Sequence, residues 1–170
     1  MAKDSNESEN LNKLLEKFPN CKIKNKDAVG TPIILVEVND IVDVAHFLKN
    51  DESQSYDYLA CLGGAEYKEH FSVIYNLHSM TRHKRLTLQV NLPKDNPKVL
   101  SVSEVWKTAD WHERETYDMY GIIFINHPNL KRILCPDDWE GFTLRKDFKL
   151  KEPQSYLVLT EGKLPIQANR

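Results

Sequence analysis

Long apolar runs are missing from this 170-residue chain. The longest, such as Pro32 to Val36 and Gly121 to Ile125, fall far short of the roughly 20 residues of a membrane-spanning helix, so no segment is expected to cross a bilayer. Cysteine is scarce: Cys21, Cys61 and Cys135 are an odd number without a CxxC pair, which suits reduced thiols in a reducing compartment. A cubane iron–sulfur cluster usually takes four thiolates, so the chain is expected to carry none alone. An excess of one charge is missing too. Lys and Arg number 23 against 25 Asp and Glu, a net of −2, which gives no basic field to draw in a phosphate backbone and argues against a nucleic-acid partner. Neither GxGxxG, GxxxxGK[ST] nor GxSxG occurs, so Gly63-Gly64 is not a phosphate loop. The first ten residues, MAKDSNESEN, have no apolar stretch after their lysine and read as a solvated tail rather than a secretory signal.

At this length one core buries enough surface to need no disulfide or structural metal. Leu11, Leu14, Leu15 and Phe18 form one stripe of a short helix stopped by Pro19 and Asn20. Residues 31–38 are β-branched and predict a strand; Asn39 or Asp40 then caps a helix with Ile41, Val44, Ala45 and Leu48 inward. Strands are predicted over 56–62, ended by Gly63-Gly64, and over 71–78 and 85–92, where apolar residues alternate with period two. The polar stretch 79–84 is hairpin-length and predicts antiparallel pairing. This order implies an α+β fold: a two-layer sandwich of a mixed, mainly antiparallel sheet with helices on one face.

The pattern changes after Pro93. Ser101 with Glu104 matches a capping box and Asp110 with Glu113 a second, predicting two short helices with a break near Asp110-Trp111, closed by Gly121. The 49 residues beyond Gly121 have little periodicity but many large apolar side chains, too many for a disordered tail. They are expected to form an extended arm buried against another protein. The chain thus divides into a tail (1–10), an α+β domain (11–121) and a C-terminal arm (122–170).

Chemistry concentrates in Trp111 to Asp118. His112, Glu115 and Asp118 are spaced by three on a helix, which invites a metal or acid–base reading. HERET is nevertheless not HExxH, and His127 adjoins Pro128 in an expected turn. The alternative is an ion-pair network in which Glu113, Glu115 and Asp118 face Arg132, Arg145 and Lys146 and fix the arm across the helix.

Residues 113–121 (ERETYDMYG), 127–134 (HPNLKRIL), 138–142 (DWEGF) and 144–148 (LRKDF) closely resemble the signature of the C subunit of proton-pumping NADH-quinone oxidoreductase, respiratory complex I, a family that includes the J subunit of the photosynthetic-type dehydrogenase. The resemblance implies an accessory structural and assembly subunit in the quinone module of the hydrophilic arm. It implies no catalytic group, cluster, flavin or quinone site in this chain, flavin and iron–sulfur clusters residing in neighbours. The implied partners are the large D subunit of the quinone module and neighbouring iron–sulfur subunits, peripherally on the cytoplasmic side of an inner membrane. The positions implied to matter, through internal ion pairs and partner contact, are Glu113, Arg114, Glu115, Asp118, His127, Pro128, Arg132, Asp138, Gly141, Arg145, Lys146 and Asp147. Thr143 and Lys149 stand where the family usually has proline, which removes two fixed φ angles. The equivalent subunit of a ferredoxin-linked dehydrogenase or membrane-bound hydrogenase is the alternative the resemblance leaves open. A freestanding enzyme using His112, Glu115 and Asp118 would instead bind metal or turn over alone.

Overall fold

The computed structural model describes residues 11–149. The chain runs α1 (residues 11–17), β1 (Lys22–Lys26), β2 (Pro32–Val36), α2 (Ile41–Asn50), β3 (Tyr58–Glu66), β4 (His70–Ser79), β5 (Lys84–Pro93), β6 (Lys98–Leu100), α3 (Ala109–Tyr120) and β7 (Ile123–Ile125). Alternation with period two dictates the centre. In the β4–β5 hairpin Phe71, Val73, Tyr75 and Leu77 lie opposite Leu92, Val90, Leu88 and Leu86, and all eight side chains are buried on one face. Three further strands complete a five-stranded sheet in the order β1-β2-β5-β4-β3. Within this sheet only β2 and β5 run parallel, so the fold is the mixed, mainly antiparallel α+β sheet that the order of elements implied.

The helices cover the apolar face. Ile41, Val44, Ala45 and Leu48 of α2 join Leu14 of α1 in the core, and Phe18 meets Phe47 edge to face at 5.8 Å. The opposite face is polar and internally paired. Gln89 Nε2 donates to Ser72 Oγ at 3.1 Å and Asn91 Oδ1 at 2.8 Å, the Thr87 hydroxyl donates to Asn76 at 2.9 Å, and Lys24 Nζ reaches Gln89 at 3.1 Å. Each buried polar group there has a partner, so that face tolerates partial burial without an orphan.

Three expectations change. Strand β1, KIKNK, has every residue exposed; it carries no apolar alternation to read, and its lysines guard an open sheet edge. Gly63-Gly64 does not end β3, which continues to Glu66. Instead α3 rests on the β3 backbone: a Cβ on Gly64 would sit 2.6 Å from the Tyr120 ring and 3.1 Å from Thr116 Cγ2. Lastly, residues 101–108 make a turn rather than a helix, with Val105 and Trp106 N–H both donating to the Val102 carbonyl. A single helix starts at Ala109 after Thr108 and passes Asp110-Trp111 unbroken. The expected stop is in place: Gly121 has φ 71°, and its N–H donates to Tyr117 O at 2.8 Å.

The domain also runs past the expected boundary at Gly121. Ile122 and Phe124 are buried, and β7 pairs parallel to β6. Beyond it the chain turns back onto α3 rather than extending away: Leu144 N–H donates to Met119 O at 3.1 Å, and Phe142 packs edge to face on Tyr117 at 6.3 Å. Part of the apolar content assigned to another protein is therefore satisfied within the chain. The tail 1–10 and residues 150–170 of the arm lie outside the described residues.

The Gly64 contact makes a prediction. Gly64→Ala should cost about 1–3 kcal/mol by overpacking α3 against β3, whereas Gly63→Ala, whose Cβ meets nothing within 4 Å, should change stability by less than about 0.5 kcal/mol. Urea denaturation of the two variants measures the difference.

Candidate functional site

Helix α3 buries two carboxylates, Glu113 and Asp118, each with essentially no exposure. Asp118 stands near the helix C-terminus, where the macrodipole disfavours negative charge, so its ionised form needs compensating donors. Arg132 Nη1 reaches Oδ1 at 2.6 Å. Three consecutive backbone N–H groups, of Ile133, Leu134 and Cys135, donate to Oδ2 at 3.1, 2.7 and 2.9 Å. Burial pushes this carboxyl up, but the Cys135 N–H, Arg132 and the Leu134 and Ile133 N–H groups together outweigh it and hold it below the usual carboxylate range.

Arg132 extends the clasp. Its guanidinium also donates to the carbonyls of Asp118 at 3.2 Å, Trp139 at 3.1 Å and Gly141 at 2.9 Å. From the other side Arg114 donates to the Lys131 and Arg132 carbonyls at 3.2 and 3.4 Å and lies over the Trp111 ring at 5.2 Å. One side-chain pair thus collects residues 131–141 against α3. Phe142 then seats on Gly121, where any Cβ would overlap its ring.

Glu113 is held differently. Oε2 accepts from the Ser101 hydroxyl at 2.6 Å and Oε1 from Val102 N–H at 2.8 Å, joining α3 to the preceding turn. Burial pushes its pKa up to about 7; the Ser101 and Val102 donors oppose this, and nearby Asp110 adds to it. The His127 side chain is fully buried beside it, Nε2 lying 3.9 Å from Glu113 Oε2 and 3.3 Å from Asp110 Oδ1. Asn129 N–H donates to His127 Nδ1 at 3.0 Å, which leaves the proton on Nε2 to donate to Asp110 O at 3.1 Å. The His-Pro turn is thereby pinned to the start of α3.

The structure brings Arg114, Asp118, Arg132 and Gly141 into one clasp and Glu113 with His127 into a second. Glu115, Pro128, Asp138, Lys146 and Asp147 are exposed. Of the expected pairs between helix carboxylates and later cations, only Asp118 with Arg132 forms among the described residues. Arg145 instead donates through Nε to the Tyr120 carbonyl at 2.6 Å, and the Lys146 N–H goes to Glu66 Oε2 at 2.7 Å. His112, Glu115 and Asp118 do not share an environment: they are half-buried, exposed and buried in turn. No group of three His, Cys, Asp or Glu side chains placed to hold a metal occurs among the described residues. The Ser101 to Glu113 bond and the role of Glu66 escaped the sequence reading. Ser101 carried a signal, a capping serine, but its partner is Glu113 rather than Glu104; Glu66 carried none.

Sheet, buried helix carboxylates and returning segment define an α+β domain that closes its own C-terminal segment onto its last helix. The chain belongs to the family described as the 30 kDa subunit of respiratory-chain NADH dehydrogenase, whose model matches residues 34–154. Among its relatives, the NADH-quinone oxidoreductase C subunit of Chloroherpeton thalassium is 51% identical over 111 residues, 64% of this chain and 46% of that protein. The chain thus spans about half the length of that relative. The C subunit of Roseiflexus sp. is 41% identical over 143 residues, covering 82% of both chains. Solved structures share the fold. The trypsin-resistant fragment of Nqo5 has a TM-score of 0.60 at 24% identity, covering 74% of this chain and 99% of the fragment. A chain of the membrane-bound sulfane sulfur reductase, an archaeal respiratory membrane complex, has a TM-score of 0.72 at 17% identity, covering 96% and 98%.

Two outcomes test the clasps. Arg132→Ala strands the buried Asp118 charge and should cost about 3–5 kcal/mol of unfolding free energy. For Glu113, a folded pKa raised from 4.5 to about 7 means the folded state binds the extra proton, so stability is full below about pH 4.5 and declines up to about pH 7, by about 3 kcal/mol. Asp118 has the opposite sign and contributes stability that is lost only in acid, below its ordinary pKa. Glu113→Gln should flatten the decline between pH 5 and 7; chemical denaturation across that range reads the slope.

Proposed function

We propose that this chain is a non-catalytic, structural and assembly subunit in the quinone module of the hydrophilic arm of an NADH-quinone oxidoreductase, supporting electron transfer to quinone coupled to proton translocation. Its work is geometric. Electron tunnelling and quinone chemistry depend on fixed placement, and a domain that locks its own C-terminal segment presents a fixed surface to the neighbours that hold the flavin and iron–sulfur clusters. The partners are the large D subunit and adjoining iron–sulfur subunits, with the assembly peripheral on the cytoplasmic side of the membrane. No helix among the described residues is long and apolar enough to cross a membrane.

The observation that carries this reading is that the family match spans the whole clasp while the same stretch displays large apolar side chains outward. Trp111, Leu134 and Leu144 are 65%, 61% and 54% exposed. An exposed Trp on a rigid element is what a protein interface uses as an anchor, and exposed Leu adds apolar surface for such a contact. The relatives are named as the C subunit of NADH-quinone oxidoreductase, which favours this complex over a ferredoxin-linked or hydrogenase assembly.

Affinity purification through the full chain should recover flavin and iron–sulfur absorption that the isolated chain lacks. Removing residues 150–170 should leave the melting temperature of the isolated chain within about 4 °C, a change of less than about 1 kcal/mol, yet abolish that recovery. Undiminished recovery by the shortened chain would count against the docking arm.

A further inference from the structure

A cavity of about 510 Å³ opens where the returning segment meets the β3–β4 turn. Lys68, Lys94, Arg145 and Lys146 line it, against only two carboxylates, Glu66 and Asp147. Glu66 is already engaged on both oxygens, accepting from Lys94 Nζ at 2.7 Å and from the Lys146 N–H at 2.7 Å. Asp147 is exposed at the rim and joins no ion pair among the described residues.

The cations are left in excess. Arg145 is half-buried, its guanidinium 5.0 Å from the Phe71 ring centroid and 4.7 Å from that of Phe142, while Nε is committed to the Tyr120 carbonyl. Two rings and a carbonyl orient this cation and strip water from its faces, but they bring no counter-charge. Lys68 and Lys146 stand exposed beside it, and none of the three forms an ion pair among the described residues. A guanidinium oriented by two rings and flanked by two exposed ammonium groups, none of the three in an ion pair among the described residues, is the complement of clustered carboxylates. Tyr67, 40% exposed and stacked on His70 at 4.9 Å, supplies an apolar wall. A ligand that fits carries apolar surface next to its carboxylates, as an acidic peptide segment does and inorganic phosphate does not.

We propose that this cavity receives an acidic segment of a partner subunit, one Asp or Glu carboxylate reaching Arg145 and its neighbours meeting Lys68 and Lys146. The inference rests on the reading that the chain works inside a multisubunit complex, and it names the chemistry of one contact there. It also gives the exposed Lys146 a task other than the internal pairing that its place in the sequence suggests.

Carbodiimide coupling tests it, because the reagent joins a lysine amine to a carboxylate, with loss of water, only where the two touch. Applied to the intact complex purified through this chain, it should yield isopeptide bonds from Lys68 or Lys146 to Asp or Glu of another subunit, identified by mass spectrometry. The Lys94 to Glu66 bond within the chain is the internal control. Control coupling with Lys68 and Lys146 free, or joined only to this chain's own carboxylates, would overturn the proposal. In a second arm, the full-length Lys68→Glu/Lys146→Glu variant should be released from the complex at an NaCl concentration lower by about twofold or more, with unchanged melting of the isolated chain. Release at the same salt overturns the proposal as well. Failure of the complex reading looks different: no flavin or iron–sulfur partner copurifies, before any coupling is done.

Discussion

The last part of the described chain is arranged around one buried carboxylate. Asp118 sits where the end of a helix repels negative charge and where water does not reach it, and an unpaired charge there would cost several kcal/mol. Four donors remove that cost: Arg132 and three successive backbone N–H groups. Those donors belong to the segment that follows α3, so stabilising the charge and folding the segment are one event. With Arg132 in place, its remaining N–H groups reach Trp139 and Gly141 carbonyls, which brings Phe142 onto Gly121 and Arg145 onto Tyr120. Glu113, five residues earlier on the same helix, shows the contrast. It has a hydroxyl and one backbone N–H but no arginine, and burial then prevails.

This arrangement bears on how a subunit of a redox assembly works. Carboxylates and arginines on a helix invite a catalytic reading, but here Glu113 holds the turn before α3, and Asp118, Arg114 and Arg132 hold the segment after it. A surface built that way is stiff, which is what the proposed bracing role requires. The groups left over are apolar and cationic: Trp111, Leu134 and Leu144 outward, and the excess of cations over carboxylates lining the cavity beside β3. On the proposed reading these two kinds of surplus address different contacts, one by desolvation and the other by charge.

Much of this was legible in the sequence. The period-two alternation of residues 71–92 gave the central hairpin and its buried face, and the stripes at 11–18 and 41–48 placed two helices. The Asp118–Arg132 pair was among those expected from residue type alone. Other features left no mark. A strand written KIKNK has no apolar side to betray it. A glycine pair reads as a stop whether it ends a strand or makes room for a helix, and only the position of Tyr120 decides. Most of the donors to Asp118 are backbone N–H groups, which every residue but proline possesses. Above all, composition cannot separate burial within a chain from burial against a partner: Ile122, Phe124 and Phe142, counted toward an arm on another protein, pack at home.

Hydrogen exchange on the isolated full-length chain tests the central claim most directly, because the amides of Ile133, Leu134 and Cys135 have the Asp118 carboxylate as acceptor. If the clasp is a property of this chain alone, those three amides exchange about a hundredfold or more slowly than in an unstructured peptide, and they lose protection together in Arg132→Ala. Exchange at the unstructured rate in the isolated chain, with protection appearing only in the assembled complex, would show instead that a partner and not Asp118 holds the segment in place.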